Sequence, residues 1–231
     1  ANITLTSPTT ITQADQSFSI GGAIDNGGFD LTYNQNAVSS HSGDIGGIIS
    51  GAGGLIKEGQ WQLTLTGAST YAGLTTVKNG LLAISGSGKP GNLTSGTIVE
   101  STATVGVFTT TTFSEPLSLG GGGGYAGAYG SLTATNGANI AGAITLTANS
   151  TVSVTNSDSF VTVSGPVGDG GNGYGLSLNA FSEAGRTLVL SGNNTYSGAT
   201  AVNSGRLKVS NGSAIADSSA VTITTGATLE L

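Results

Sequence analysis

Neither cysteine nor methionine occurs anywhere in the 231 residues. The first absence excludes disulfide scaffolds, thiolate metal sites and cysteine nucleophiles together. The second leaves no initiator residue and points to a mature or excised segment, and Ala1 to Ile11 lacks the basic start and apolar run of a signal peptide. Charge is scarce as well: Lys, Arg, Asp and Glu make up 8% of the chain, where roughly 25% is usual. Long soluble helices need a charged face opposite their apolar stripe, so an all-helical protein is excluded. Six basic residues against twelve acidic ones, for a net charge of -6, leave no basic patch to neutralise phosphates, and no nucleic-acid partner is expected. No stretch approaches about 18 consecutive apolar residues, so no segment is expected to insert in a membrane as a helix. Only 4 prolines are present and glycine does not recur at every third position, which excludes collagen.

What fills the chain instead is 40 Gly, 33 Thr, 29 Ser and 16 Asn, about half of all positions. Such a composition invites a reading of disorder, yet 37% of the residues are hydrophobic and the mean hydropathy is +0.16, whereas disordered chains combine low hydrophobicity with high net charge. The apolar residues alternate with period two, as in Leu63 and Leu65, Ile144 and Leu146, Leu82 and Ile84, Leu207 and Val209, and Val221 and Ile223. That period marks half-buried strands. They are short and are separated by Gly, Asn and Ser clusters such as Ser191-Gly192-Asn193-Asn194.

The chain repeats itself. Leu63 to Ser85 (LTLTGASTYAGLTTVKNGLLAIS) aligns without a gap on Leu188 to Ser210 (LVLSGNNTYSGATAVNSGRLKVS), at a constant offset of 125. Upstream, Ile3 to Ile11 resembles Ile144 to Val152 at the larger offset of 141, so the first unit carries an insertion between its two anchors; downstream, Thr102 to Val107 resembles Gly226 to Leu231. The reading is one segment, 1–231, with a unit at 3–143 and a second, incomplete one at 144–231. Because Leu229-Glu230-Leu231 stops inside an alternating pattern, the native polypeptide is expected to continue. Hairpin signals are few, which disfavours sandwiches and barrels. A solenoid of parallel strands, with small or φ-positive residues at its corners, fits better. At about 20 residues and one 4.8 Å strand spacing per coil, the chain would form about 11 coils, and the offset of 125 would be about six.

Leu55 to Ser85 and Arg186 to Ser210 resemble the autotransporter-associated β-strand repeat, or passenger-associated transport repeat, of bacterial autotransporter passenger domains. Leu188-Val189-Leu190-Ser191-Gly192 and Asn194-Thr195-Tyr196-Ser197-Gly198 carry the pattern nearly intact. The first copy departs with Trp61 and with Ala68-Ser69, and the second has Ser182 where the first has Lys57. The resemblance implies a right-handed parallel β-helix exported to the surface of a Gram-negative bacterium. The repeated Thr-Tyr-x-Gly module, with no catalytic constellation beside it, is read as a non-enzymatic stalk or fibre segment, or an adhesin, with a host or neighbouring-cell ligand, and the uncapped strands at Ile3-Thr4-Leu5 and Thr228 to Leu231 make end-to-end self-association an expected partner. The lack of Cys suits a chain that crosses an oxidising periplasm.

No residue is assigned as catalytic, cofactor-binding or metal-binding, and no cofactor is expected. Asp25, Asp30 and Asp44 are the one local concentration of carboxylates and the basis of the alternative, a polysaccharide-degrading β-helix enzyme, since glycoside hydrolysis needs two such groups. Asp25-Asn26-Gly27-Gly28 and Ser42-Gly43-Asp44 read instead as turns. His41 has no second ligand at a metal-binding spacing. Asp169, in Gly168-Asp169-Gly170-Gly171-Asn172-Gly173, resembles one fragment of a calcium-binding nonapeptide that works only by repetition. Gly120 to Gly124 lacks the Lys-Ser/Thr of a phosphate loop and is expected to be a flexible excursion. Tyr71 and Tyr196, at equivalent positions, are expected to pack over a corner, and Trp61 to cap an apolar gap or stand as an exposed contact. Thr-x-Thr pairs at Thr4, Thr64, Thr145 and Thr222 raise a minor ice-binding alternative, but their spacings share no coil period.

Overall fold

A computed structural model describes the chain except residues 15, 36–40, 126–128, 136, 157–158, 181–184 and 216–218. Among the described residues there is no α-helix, and every strand pairing is parallel. The chain winds as a three-sided β-solenoid. An eight-stranded sheet from Thr9–Gln13 to Val167–Gly168 forms the first side, and a ten-stranded sheet from Phe18–Ile20 to Val221–Ile223 forms the second. The third side holds two sheets: three strands (Ile3–Thr4, Ile24–Asp25, Ile49–Ser50), then six running from Thr112–Phe113 to Thr228–Glu230.

Register on the second side passes from Phe18 through Gly43, Leu63, Leu82, Val105, Leu132, Val152, Leu178 and Val202 to Ile223, which is nine turns. The eleven coils expected from a uniform short period are therefore too many. Turns differ in length: one runs from Leu63 to its partner Leu82, whereas another needs the longer stretch from Val105 to Leu132, because the corners carry excursions. At about 4.8 Å per turn, the rod is roughly 43 Å long.

Alternation fills the interior. Leu31, Leu55, Thr75, Thr97, Leu117 and Ile144 stack on one another along the first side, and Tyr33, Lys57, Val77, Val99 and Leu119 form the adjoining ladder. All are buried. Each fully buried aliphatic contributes about 1.5 to 3 kcal/mol relative to exposure. The intervening positions, such as Thr32, Ile56, Thr76 and Ile98, face outward. On the second side the outward Leu81, Ala83, Thr104 and Thr133 are buried too. Beside them, the excursion after Leu117–Leu119 brings Tyr125 and Tyr129 against a depression shared with Leu81 and Phe108.

Close packing constrains part of the glycine run, while Gly122 has open space around it. A Cβ on Gly120, Gly123 or Gly124 would approach backbone atoms to 2.8, 2.3 and 2.5 Å, so glycine is required there by close packing.

The offset of 125 is not six coils either. It spans five turns and one side, so every matched strand moves to the next side. Leu63 lies on the second side but Leu188 on the third; Thr75–Val77 lies on the first but Thr200–Val202 on the second; Gly80–Ser85 lies on the second but Arg206–Val209 on the third. The upstream insertion in the first unit makes one additional turn, since six turns and one side separate Ile3–Thr4 from Ile144–Leu146.

Candidate functional site

The repeated module builds the same corner twice. After Leu65 the chain crosses the third side without forming a strand, and after Leu190 it crosses the first side in the same way. Each crossing bonds back to the strand one turn below. Thr70 N donates to Ile49 O at 2.8 Å, and Thr195 N donates to Val167 O at 2.8 Å. In return, Ile49 N donates to Ser69 Oγ at 3.1 Å and Val167 N to Asn194 Oδ1 at 2.8 Å. A side-chain oxygen thus replaces the carbonyl that a neighbouring strand would present, and the buried N–H is satisfied.

Tyr71 and Tyr196 turn inward at these corners and are fully buried. Their hydroxyls lie 2.6 Å from Thr75 Oγ1 and 2.7 Å from Thr200 Oγ1, at the start of the next strand. Thr75 Oγ1 donates its own proton to Pro90 O at 2.9 Å, so Tyr71 is the donor in its pair. Burial raises both phenols above the usual range, the threonine hydrogen bonds working against it. Glycines complete the corner. A Cβ on Gly73 would meet Gly53 C at 2.4 Å, one on Gly198 would meet Tyr174 C at 2.3 Å, and Gly80 and Gly205 hold φ of 70° and 74°.

Asp169, Lys57, Arg186 and Glu115 are buried as well. Asp169 accepts from Gly171 N, Tyr174 N, Ser197 N and Ser197 Oγ at 2.9, 3.0, 3.2 and 2.8 Å, tying the glycine-rich loop to the second Tyr-Ser-Gly corner. Burial opposes its ionisation, but these hydrogen bonds hold the carboxyl down at about 2. Lys57 lies in the interior ladder, where its Nζ donates to Glu58 O, Gly59 O and Asn79 O at 2.8, 2.8 and 3.0 Å and sits 5.7 Å from the Tyr33 ring centroid. Three carbonyls match the three protons of an ammonium, although burial pushes its pKa down to about 7 against the pull of Glu58. Arg186 caps carbonyls in a similar way, with Nε to Asn156 O at 3.0 Å and Nη1 to Ala180 O at 3.1 Å. Ser182, the counterpart of Lys57, lies outside the described residues.

Glu115 differs from the other three. It is 2% exposed; Thr97 Oγ1 donates to its Oε1 at 2.7 Å, and its Oε2 has no hydrogen-bond partner among the described residues. Burial pushes its pKa up to about 8, with the Thr97 bond acting in the opposite direction. It forms part of the wall of a cavity of about 470 Å³ on the third side, where Ile49–Ser50 ends one sheet and Thr112–Phe113 begins the other. Ala68, Pro90, Leu93 and Phe113 give the cavity apolar walls, and Lys89 and several threonines also line it. The burial of Lys57 and Glu115 was not expected from the sequence. The signal was parity, since each stands two residues from an inward leucine, Leu55 and Leu117.

The carboxylates considered for glycoside hydrolysis are dispersed. Asp25 is on the third side and accepts from Gly27 N at 3.0 Å; Asp30 precedes the first-side strand Leu31–Gln35 and accepts from Gly54 N at 2.8 Å; Asp44 is on the second side and accepts from Ser19 Oγ at 3.0 Å. His41 is half-buried, and its carbonyl accepts from Gln35 Nε2. Its neighbours Ser39 and Ser40 lie outside the described residues. No group of three or more His, Asp or Glu that could hold a metal occurs among the described residues. Trp61 is half-buried at the corner between the first and second sides. The Thr-x-Thr pairs fall on all three sides, Thr4 on the third, Thr64 and Thr222 on the second and Thr145 on the first, so they form no common ladder.

The family model described as passenger-associated-transport-repeat matches the chain twice, at residues 55–84 and 186–209. These are the two segments that build the strand–corner–strand unit described above. The two matches and the parallel solenoid are consistent with an autotransporter passenger repeat. No curated protein and no solved structure matches the chain.

Proposed function

We propose that the chain is a non-enzymatic, rigid segment of a surface-exposed passenger, a stalk or fibre element that holds an adhesive region away from the cell or presents one itself. The observation that carries this reading is the use made of the repeated residues. Ser69 and Asn194, Tyr71 and Tyr196, Thr75 and Thr200 are all committed to closing the corner of the rod. Asp25, Asp30 and Asp44 are likewise engaged in turn and cross-strand bonds at three separate places.

End-to-end association is part of the proposal. The last strands leave Val221 and Ile223 exposed, and Val209, Ile215, Leu229 and Leu231 surround an apolar recess beside them. Such an edge is proposed to pair with the edge of a second copy. Negative-stain electron microscopy with analytical ultracentrifugation tests it. Rods that lengthen with concentration support stacking, and strictly monomeric particles at high concentration contradict it. Turnover of any acidic or neutral polysaccharide by the purified segment would overturn the non-enzymatic reading.

A further inference from the structure

The second side is not a plain solvated sheet. Its outward Leu81, Ala83, Thr104 and Thr133 are buried, and beside them lies an open depression of about 460 Å³, within the size range of small-molecule sites. A second recess of about 390 Å³ continues it, since Tyr129, Thr155 and Asn156 line both. Together they form a groove along the rod. Ser85 and Phe108 are register partners, and Thr135 and Thr155 extend the row over the next two turns, their amides donating to Val107 O and Ala134 O at 3.3 and 3.0 Å. At about 4.8 Å per turn, this row alone covers roughly 14 Å.

Aromatic rings and uncharged polar groups share the lining. The Phe108 ring folds back over Gly106, where a Cβ would lie 2.7 Å from its Cε2 and Cζ; the glycine lets the ring lie close against the sheet while it stays half-exposed. Tyr125 and Tyr129 pair at 5.5 Å between centroids with a 45° tilt, and both are half-exposed as well. Gln62, Ser85 and Thr155, half-exposed, and Asn156, exposed, bring amides and hydroxyls that both donate and accept. Among the described lining residues, Arg186 alone carries a charge, and its Nε and Nη1 already donate to Asn156 O and Ala180 O.

We propose that this groove binds a neutral oligosaccharide, whose pyranose rings lay their C–H faces on Phe108, Tyr125 and Tyr129 and whose hydroxyls exchange hydrogen bonds with Gln62, Ser85, Thr155 and Asn156. A sugar ring has apolar faces and a rim of hydroxyls. It therefore needs aromatic surface and groups that donate and accept, but no counter-charge. A cationic ligand finds no carboxylate in the lining, and a wholly apolar one would leave the amides and hydroxyls without partners. The net charge of -6 also disfavours an acidic ligand. The assignment rests on the reading of the segment as surface-exposed and gives its adhesive region a ligand class. Because the groove is open, a trisaccharide is expected to bind with a Kd on the order of 1 mM.

The test is saturation-transfer NMR and calorimetric titration of the folded chain with cellotriose, maltotriose and chitotriose, and with trigalacturonate as the acidic comparator. At least one neutral trisaccharide binds saturably, and trigalacturonate binds more weakly by about tenfold or more. In the parent chain, transferred NOEs link sugar ring protons to Phe and Tyr ring protons. Phe108→Ala and Tyr125→Ala, each checked for folding by circular dichroism, lose about fivefold or more in affinity, whereas Tyr125→Phe keeps the ring face and loses less than about twofold. Leu93→Ala, on the third side, leaves binding unchanged. No saturable binding of any neutral trisaccharide up to about 20 mM, no NOE to aromatic protons, affinity unaffected by both alanine variants, or equal binding of trigalacturonate would overturn the proposal. End-to-end association is read separately by electron microscopy, so a segment that stacks but binds no saccharide loses the ligand class and keeps the stalk.

Discussion

At the scale of the residue, the two copies of the module offer an internal comparison. The Tyr71 hydroxyl meets a threonine that also donates to Pro90 O, whereas the Tyr196 hydroxyl meets Thr200, whose own hydroxyl has no other hydrogen bond among the described residues. Tyr71→Phe is therefore expected to cost about 1 kcal/mol and Tyr196→Phe about 2, because only the second strands a buried hydroxyl; urea denaturation of each variant reads the difference. Glu115 gives a pH-dependent counterpart. Its carboxyl titrates near 4.5 when exposed and near 8 when folded, so between these values the unfolded chain holds fewer protons and stability falls as pH rises. Glu115→Gln should match the parent near pH 4 and exceed it at pH 8 by on the order of a few kcal/mol, with thermal melts across pH as the check. An unchanged pH profile would contradict the burial argument. The structural use of Tyr71 and Tyr196 was legible in the sequence because both copies share the residue. The burial of Glu115 was not, because one carboxylate beside Pro116 reads as a turn until parity with Leu117 is followed inward.

At the scale of the element, period-two alternation located most strands, and matched glycines marked the corners. Gly67 and Gly192, Gly73 and Gly198, and Gly80 and Gly205 occupy places where a Cβ would strike backbone or where φ is positive. Gly198→Ala is expected to cost about 3 kcal/mol, since the added methyl would lie 2.3 Å from Tyr174 C and the backbone of two turns would have to part. Gly212→Ala, with open space around the site and no positive φ, should be neutral within about 0.5 kcal/mol. Equal melting temperatures for the two variants would show that the corner yields more easily than its packing indicates. Sequence could not reveal which side of the rod a strand joins. Turns are uneven in length, and the excursion between Leu117–Leu119 and Leu132–Ala134 lengthens one of them without adding a strand among the described residues.

At the scale of the whole molecule, the module specifies a local path of strand, inward tyrosine, glycine corner and strand, and it does so without reference to the side on which it begins. That explains how the same sequence closes the third side at Tyr71 and the first side at Tyr196. It also lets the rod keep one mainly apolar interior, with buried polar residues such as Lys57 and Glu115 within it, while its outer faces change composition from turn to turn. The absence of native cysteine permits a direct test by paired substitution. Ser177 and Ala201 are register partners on the second side, whereas Gly168 is the first-side residue that would lie beneath Ala201 if the two copies shared a side. Adjacent strands about 4.8 Å apart fall within the roughly 4.4 to 6.8 Å span of a disulfide. Thiol counting after mild oxidation should find Ser177→Cys/Ala201→Cys fully cross-linked and Gly168→Cys/Ala201→Cys free, and the reverse result would contradict the one-side rotation on which this account rests.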